Sequence, residues 1–430
     1  ISDRLSNFVF AIGYFLREVG AAHTWRQLLA DQGVVKLDRV RSILRYDLAQ
    51  LEQPLLVCLD DVDTLMPERA DHAQFLHVLD ELRSLAAILL LGQRVVLEMD
   101  VHVALTAFDD TDLVAWLETV GAPPLDAVQR QVLLKGTRGQ PGLLALLSTL
   151  LAYGDDLPSL LEKLPDDLSL EVLLTRVWRR LDEAERQVLA ELAVHQTVAP
   201  RDIWSQRRIP LDRLIERDLV LVDGRGGVEC DPHIRPLVYA RTSVEIRRSL
   251  HMAAALELEK RGEFVGAMRQ YLLSSQPAQC VWLWFSHRSQ QIERGQGPAA
   301  LAMLDEIVAA DLPDERDRAA LALARAELLR LVGKSDAIAQ SLGALPLGRT
   351  GSAAAYAQQL LAEAFARQGE IERSLATYRQ ALETLTGSTP YRQVIIHQKL
   401  VHLHLTRSPD LATAEVEAQQ ALFHAETFAA

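Results

Sequence analysis

Residues Pro54–Asp63, with the sequence PLLVCLDDVD, join an apolar run to a cluster of acids. The uncharged residues from Leu55 to Leu59 suit a strand that is buried on both faces of a parallel sheet. Asp60 and Asp61 would then follow the carboxyl end of this strand, where open α/β sheets bind their ligands. Magnesium prefers oxygen ligands, and one or two carboxylates with phosphate oxygens satisfy it. The pattern indicates either a metal–nucleotide site or an ordinary acidic turn after a buried strand.

A nucleotide site of this kind also needs a glycine-rich phosphate loop, G-x-x-x-x-G-K-[ST], and this motif does not occur in the sequence. The one GK[ST] triplet, Gly333-Lys334-Ser335, follows a helical pattern instead of a strand. We interpret it as a glycine that ends one helix before the next begins. The chain starts at Ile1, without methionine, and we expect the first strand and the phosphate loop to lie upstream.

The composition narrows the class of protein. At 430 residues the chain is long enough for about three domains, and its 49% hydrophobic and 24% charged residues are typical of a globular protein. No apolar run reaches the ~18 residues of a membrane span, and no secretory signal is present. Three scattered cysteines predict neither a disulfide framework nor a zinc site, so we expect a cytoplasmic protein. The net charge of -13 argues against a nucleic acid partner.

The first part of the chain, residues 1–108, alternates helical and strand patterns. Helical spacing runs from Leu5 to Val19, from Leu37 to Leu51 and from Phe75 to Leu85, and a second buried strand begins at Ala87. A strand, a helix and a second strand at this spacing predict a parallel crossover unit. Residues 109–180 show only helical patterns, which are interrupted at Pro123-Pro124 and between residues 136 and 142.

Residues 181–243 predict three helices and a hairpin, which is the composition of a winged helix. Asp182 caps the first helix, and the glycine-rich turn at residues 223–227 joins two short strands. The candidate recognition segment, residues 210–218, carries three acids against two arginines, whereas a helix that reads a DNA groove needs a positive excess. A transcription regulator that contacts DNA through Arg207, Arg208 and Arg213 is the alternative.

Residues 244–430 are helical and repetitive. Glycines at positions 262, 295, 333 and 369 recur at intervals of 33, 38 and 36 residues, each between two segments of helix length. The best copy combines Ala362, Phe365, Gly369, Ser374 and Tyr378, and a fifth copy turns at Pro409-Asp410. This period predicts tetratricopeptide-like helix pairs that stack to bury their apolar faces. A generic alanine-rich helical bundle is the alternative.

The order of these parts resembles that of the STAND class of signal-transducing ATPases. The resemblance implies a mostly α fold with an N-terminal α/β part: the C-terminal part of an ATPase core (1–108), a helical lid (109–180), a winged helix (181–243) and a repeat sensor (244–430). In that class the acidic strand end is the Walker B motif. It implies that Asp60 holds Mg²⁺, with possible help from Asp61, and that Asp61 polarises the attacking water. Arg94, after the second strand, is similar to the sensor arginine that reports on the γ-phosphate, although such an arginine otherwise forms a surface ion pair.

Two further motifs carry the resemblance. Gly139-Gln140-Pro141 is similar to the lid motif whose proline packs against adenine, and a plain start of a helix is the alternative. His233 follows the predicted wing, where this class places a histidine against the β-phosphate of ADP. Here Pro232 precedes the histidine and Ile234 follows it instead of an acid, so a capping or surface histidine is the alternative.

The resemblance therefore implies a signalling switch that uses ATP, ADP and Mg²⁺. ADP would hold a closed state, and a protein or small-molecule ligand on the concave face of the repeats would open it. Exchange for ATP would then promote homo-oligomerisation and activate an effector. We expect ATPase activity of the complete protein and no membrane partner. A helical-repeat scaffold that does not hydrolyse nucleotide is the remaining alternative.

Overall fold

The computed structural model describes residues 5–30, 37–60, 62, 72–92, 94–95, 97–162, 169–195, 198–343, 351–385 and 390–429. In these ranges the chain forms 22 α-helices and five short strands, so the predicted mostly helical fold with an N-terminal α/β part is confirmed. The contacts divide the chain into two compact units. The first unit combines Ile1–Glu98 with Leu258–Ala430, and the second unit is Met99–Glu257. The four-part division of the chain stays a prediction.

The α/β part of the first unit contains the predicted crossover. Its elements are α1 (Leu5–Glu18), α2 (His23–Ala30), α3 (Leu37–Ala49), β1 (Leu56–Leu59), α4 (His72–Leu82) and β2 (Ala87–Leu90). The strands β1 and β2 pair in parallel, with Leu56 opposite Ala87 and Leu59 opposite Leu90, and α4 connects them. Helix α2 was not predicted, because its short sequence, HTWRQLLA, mixes polar and apolar residues.

The prediction that both strands are buried on both faces is wrong for the described residues. Side chains in β1 and β2 alternate between exposed and half-buried, and Leu56 and Leu89 remain 60% and 45% exposed. Two of the half-buried side chains, Leu59 and Ile88, pack on a core that includes Leu16, Leu28 and Leu79. In the described part of this two-stranded sheet, the helices cover one face, so an uncharged sequence alone did not determine burial.

The second unit contains helices and a small sheet. Its elements before the sheet are α5 (Asp110–Thr119), α6 (Ala127–Thr137), α7 (Pro141–Ala152), α8 (Leu157–Glu162), α9 (Leu170–Arg180) and α10 (Glu183–Val194). They are followed by β3 (Ala199–Pro200), a 3-10 helix (Arg201–Arg207), α11 (Arg208–Glu216), β4 (Val220–Val222), β5 (Gly227–Cys230) and α12 (Arg235–Arg241). The strands are antiparallel in the order β3-β5-β4, and the predicted hairpin is β4–β5.

One hydrophobic core holds the second unit together. It runs from Leu113 in α5 through Leu147 in α7 and Leu189 in α10 to Val238 in α12. Aspartates cap the starts of α5, α6 and α10, and each forms a capping box with the third residue of its helix. The helical segment and the hairpin segment are therefore packed around a common core.

The remaining helices follow the glycine period, and the last eight of them form four successive pairs. After α13 (Val244–Lys260) and α14 (Phe264–Leu273), the pairs are α15 (Pro277–Glu293) with α16 (Gly297–Asp305), α17 (Glu315–Leu331) with α18 (Asp336–Gly343), α19 (Ser352–Gln368) with α20 (Ile371–Thr384), and α21 (Pro390–Thr406) with α22 (Leu411–Ala429). Gly262, Gly295, Gly333 and Gly369 all have positive φ in the turns that follow α13, α15, α17 and α19. Gly333-Lys334-Ser335 thus ends a helix, as predicted.

Buried small residues allow the helices of each pair to approach closely. Ala267, Ala300 and Ser374 occupy equivalent places five residues after the turn glycines, and all three are fully buried. The Ser374 hydroxyl donates to the carbonyl oxygen of Ala362 at 2.7 Å, which satisfies its polar group inside the pair. Among the described helices, none combines the length and the apolar character that crossing a bilayer requires.

Candidate functional site

The first set of candidate residues lies at the carboxyl ends of β1 and β2. The ladder continues past the strands, because the Leu91 amide donates to Leu59 at 2.8 Å and the Val62 amide donates to Leu91 at 3.1 Å. Asp60 directly follows β1 and is exposed, and Arg94 is exposed in the segment after β2. The structure therefore brings these two residues to the same edge of the sheet. Asp61 and Asp63 lie outside the described residues.

The fit of this edge to magnesium depends on how many ligands the protein must supply. Within the described ranges, no three His, Cys, Asp or Glu side chains converge on a point where a metal ion could bind. Magnesium in nucleotide sites keeps several waters and takes other ligands from phosphates, so one or two protein carboxylates are enough. The exposed carboxylate of Asp60 fits that requirement. It is the described residue that would hold the ion.

The second set of candidates begins at the turn between α6 and α7. Arg138 and Gly139 both have left-handed backbone conformations, with φ of 52° and 65°. A Cβ at Gly139 would lie 2.4 Å from the carbonyl oxygen of Phe108, so only glycine fits there. The Phe108 amide donates to the Gly139 carbonyl at 2.8 Å. Gly139 therefore has a backbone role, in which it holds the segment before α5 against the turn.

Pro141 is the first residue of α7, and its exposed ring leaves a rigid apolar surface at the start of the helix. Gln140, at the N-cap, makes no capping side-chain hydrogen bond. The first turn of a twelve-residue helix carries amide groups and the positive end of the helix dipole, which favour an anion. The start of α7 therefore offers both an apolar wall and a weakly positive end.

His233 lies against this helix start. A Cβ built on Gly142 would be 3.5 Å from Cγ of the His233 ring, so the ring packs over the first turn of α7. Asp231 Oδ1 accepts a hydrogen bond from the His233 amide at 2.7 Å and lies 3.2 Å from Nδ1 of the ring. Because Asp231 holds Nδ1, Nε2 is the ring nitrogen through which the side chain can meet a ligand. The His233 side chain is 65% exposed.

Hydrogen bonds anchor the C-terminal half of α7. The Thr149 hydroxyl in α7 donates to the carbonyl oxygen of Arg217 at 2.8 Å. The Arg217 guanidinium in turn donates to Tyr153 and to Glu185, both at 2.6 Å. Burial, followed by the charge of Glu185, raises the pKa of Tyr153 to about 12. These bonds hold the C-terminal half of α7 against α10 and the end of α11, and the same helix carries Gly142 in its first turn.

Comparison with known proteins gives one structural match and no sequence match. No protein-family model and no curated protein matches the chain. Its structure is similar to the crystal structure of a Signal Transduction ATPase with Numerous Domains, a STAND protein with a tetratricopeptide repeat sensor, from Pyrococcus horikoshii. The TM-score is 0.50 at 13% identity, and the match covers 99% of this chain and 70% of that chain. The chain has the fold of a STAND protein with tetratricopeptide repeats. The predicted resemblance is confirmed at the level of the fold.

Within this STAND fold, sequence reasoning missed Gly142 and Asp231. The spacing Asp231-Pro232-His233 is a detectable signal, because an aspartate often accepts a bond from the amide two residues later. The contact of His233 with Gly142 has no local signal, since 91 residues separate the two. The assigned roles of Asp60, Asp61, Arg94, Gly139, Pro141 and His233 stay predictions.

The arginines proposed for DNA contact are engaged within the second unit of the STAND fold. Arg207 donates to both carboxylate oxygens of Glu191 at 2.6 Å. Arg208 lies 3.4 Å from Asp212, and Arg213 lies 3.4 Å from Asp182. A guanidinium that is already paired with a carboxylate loses that partner when it moves to a phosphate. These ion pairs disfavour the transcription-regulator alternative.

Proposed function

We propose that the chain is a nucleotide-dependent signalling switch that responds to ATP and ADP. The observation that carries this proposal is the packing of His233 over the first turn of α7, next to Pro141. A helix start, a rigid proline and an oriented imidazole are suited to phosphate and to an adenine ring. The STAND fold supports the same interpretation, as an analogy of fold.

Each candidate residue then has a separate task. Asp60 holds Mg²⁺, which neutralises phosphate charge when it is bound. Asp61 polarises the attacking water, and Arg94 detects the γ-phosphate. Pro141 packs against adenine, Gly139 shapes the turn that presents it, and His233 donates Nε2–H to a phosphate of ADP.

The energy of one such bond limits what His233 can do. A charge-assisted hydrogen bond contributes about 1.5–3 kcal/mol. Moving a two-state equilibrium from 1:99 to 99:1 needs about 5.5 kcal/mol. Bound ADP must therefore stabilise the resting state through several contacts, of which His233 supplies one. Ligand binding to the repeats opposes those contacts, permits exchange for ATP and promotes oligomerisation and effector activation.

The test is a titration of fluorescent ADP into the full-length protein. His233→Ala should weaken ADP binding by about tenfold to a hundredfold, because it removes one charge-assisted bond. The exposed His102, which is also in the second unit, supplies the control variant His102→Ala, and its affinity should stay unchanged. Equal affinities for His233→Ala and His102→Ala, or no nucleotide binding by the wild-type protein, would overturn the proposal.

A further inference from the structure

The first helices of four successive repeat pairs, α15, α17, α19 and α21, carry a connected group of charged side chains. We call this group the inner network; its members are Arg288, Glu327, Arg330, Glu363, Arg367, Arg392 and Lys399. In a stack of helix pairs, the first helices line one surface and the second helices line the other. The inner network therefore belongs to one face of the repeats.

Contacts run from each of these helices to the next. Arg288 in α15 lies 3.7 Å from Glu327 in α17, and Trp284 donates its indole N–H to the same carboxylate at 3.1 Å. Two cations approach Glu363 in α19: Arg330 from α17 at 3.6 Å and Lys399 from α21 at 3.5 Å. The network is thus continuous across four helices.

The charges in the network do not balance. Its seven described members comprise five cations and two carboxylates, an excess of three positive charges in a chain whose net charge is -13. The Arg367 guanidinium donates to the carbonyl oxygen of Arg330 at 2.9 Å. Arg392 stacks 4.3 Å from the centre of the Tyr356 ring and donates to the amide oxygen of Gln359 at 3.3 Å. These hydrogen-bond and ring partners of the two arginines are therefore neutral, and Glu363 and Glu327 compensate their charge from a greater distance.

The electrostatics indicate a recess with surplus positive charge. Desolvation lowers the pKa of the guanidinium groups of Arg367 and Arg392. For Arg367, the charge of Arg330 lowers the pKa further and the charge of Glu363 opposes this effect. For Arg392, Tyr356 and Glu327 raise the pKa and Arg288 lowers it, and the net shift is still downward. Arg367 nevertheless keeps an exposed surface. Side chains that are reachable by solvent and yet partly desolvated by surrounding protein are expected at the bottom of a groove, and their mutual repulsion would be relieved by an anion.

We propose that this groove binds an extended peptide segment that carries acidic side chains, an inference that rests on the proposed sensing role of the repeats. Guanidinium groups pair with carboxylates through two parallel hydrogen bonds, and Arg392 is already oriented by its aromatic partner. Packed helices are about 8–10 Å apart, and roughly three extended residues cover that distance. In the polyproline II form of an extended peptide, every third side chain points in the same direction and lies about 9 Å from the last, so acidic side chains at every third position match the spacing of the helices.

The two carboxylates favour a peptide over a nucleic acid. Glu327 and Glu363 lie between the cations along the groove and are buried. A nucleic acid backbone has closely and evenly spaced charges, so some phosphates would face these carboxylates. A peptide can place its carboxylates beside the arginines and neutral residues beside Glu327 and Glu363.

The experiment measures binding of a fluorescein-labelled peptide to the full-length protein. The probe has about 12 residues with glutamate at every third position, enough to span the four helices. A matched peptide has glutamine at those positions. We expect the glutamate peptide to bind, the glutamine peptide to bind at least about tenfold more weakly, and the affinity to fall as salt is raised.

The variant Arg288→Gln/Arg392→Gln should lose at least about tenfold in affinity for the glutamate peptide, because it removes two of the anion partners. Its melting temperature should fall, because the buried carboxylate of Glu327 loses its Arg288 partner, so the affinity is measured at a temperature at which circular dichroism shows the variant to be folded. Arg373→Gln is the matched control: Arg373 lies on the second helix α20 in an exposed ion pair with Glu370, and its loss should leave peptide affinity unchanged.

Three outcomes would overturn the inference: no binding of the glutamate peptide, an equal loss with Arg373→Gln, or tighter binding of a single-stranded oligothymidylate than of the peptide. The readout contains no nucleotide-dependent step. Failure here therefore leaves the ADP titration of the wild-type and His233→Ala proteins unaffected, and a failed ADP titration leaves peptide binding intact.

Discussion

Replacing Gly139 by alanine tests the geometry of the turn that presents Pro141. Gly139 has a φ of 65°, and an added Cβ would lie 2.4 Å from the carbonyl oxygen and 2.9 Å from the amide nitrogen of Phe108. Both neighbouring atoms are backbone atoms, so neither can rotate away as a flexible side chain could. The substitution must therefore move the chain at Phe108 or at the turn itself.

The expected cost has two parts. A left-handed conformation costs alanine about 1–2 kcal/mol relative to glycine. Displacing Phe108 also breaks the hydrogen bond from its amide to the Gly139 carbonyl, which contributes about 1 kcal/mol net. We therefore expect Gly139→Ala to lower the free energy of opening of α6 and α7 by about 2–4 kcal/mol.

Native-state hydrogen exchange of the α6 and α7 amides in increasing urea measures this free energy directly. The matched control is Gly136→Ala, three residues earlier. Gly136 lies within α6, and an added Cβ meets nothing within 4 Å. Alanine there should stabilise the helix by about 0.5–1 kcal/mol. If the two variants exchange alike, the close approach of Phe108 to Gly139 is refuted.

Three more predictions concern residues outside this turn. Burial lowers the pKa of His195 from 6.5 to about 4, so between these pH values the unfolded chain binds a proton that the folded chain does not, and the free energy of unfolding decreases as the pH falls. Urea titrations should show a loss of about 2 kcal/mol between pH 7 and pH 5, and this loss should be missing in His195→Gln. Gly295→Ala should lower the melting temperature more than Gly369→Ala: both positions have positive φ, but only a Cβ at position 295 would press on the Trp25 ring, at 2.8 Å. Equal shifts in melting temperature would contradict this contact. In the folded protein, iodoacetamide should modify the exposed Cys58 first, because burial raises the pKa of the Cys230 and Cys280 thiols to about 12. Faster modification of either buried thiol, measured by mass spectrometry, would refute this prediction.

The features that sequence predicted well are set by local rules. Gly262, Gly295, Gly333 and Gly369 each take a positive φ, and a conformation that favours glycine at a regular interval is readable without tertiary structure. The Asp182 capping box and the turn between β4 and β5 are of the same kind, because each involves residues only a few positions apart.

The features that sequence did not predict depend on which surfaces meet. The apolar run of β1 predicted burial on both faces, but burial depends on what packs above and below the sheet, and Leu56 is largely exposed. The contact of His233 with Gly142 and the ion pair of Arg288 with Glu327 join residues far apart in the chain. A periodic sequence pattern describes local structure and does not indicate which distant residues come into contact. Part of the candidate site and the inner network therefore became visible only in the structure.

The central claim, a resting state held by bound ADP, is tested most directly by denaturing the purified full-length protein and identifying the nucleotide that it releases. The account predicts ADP, at close to one molecule per chain, after purification without added nucleotide. Protein that is folded by circular dichroism and yet releases no nucleotide would contradict it.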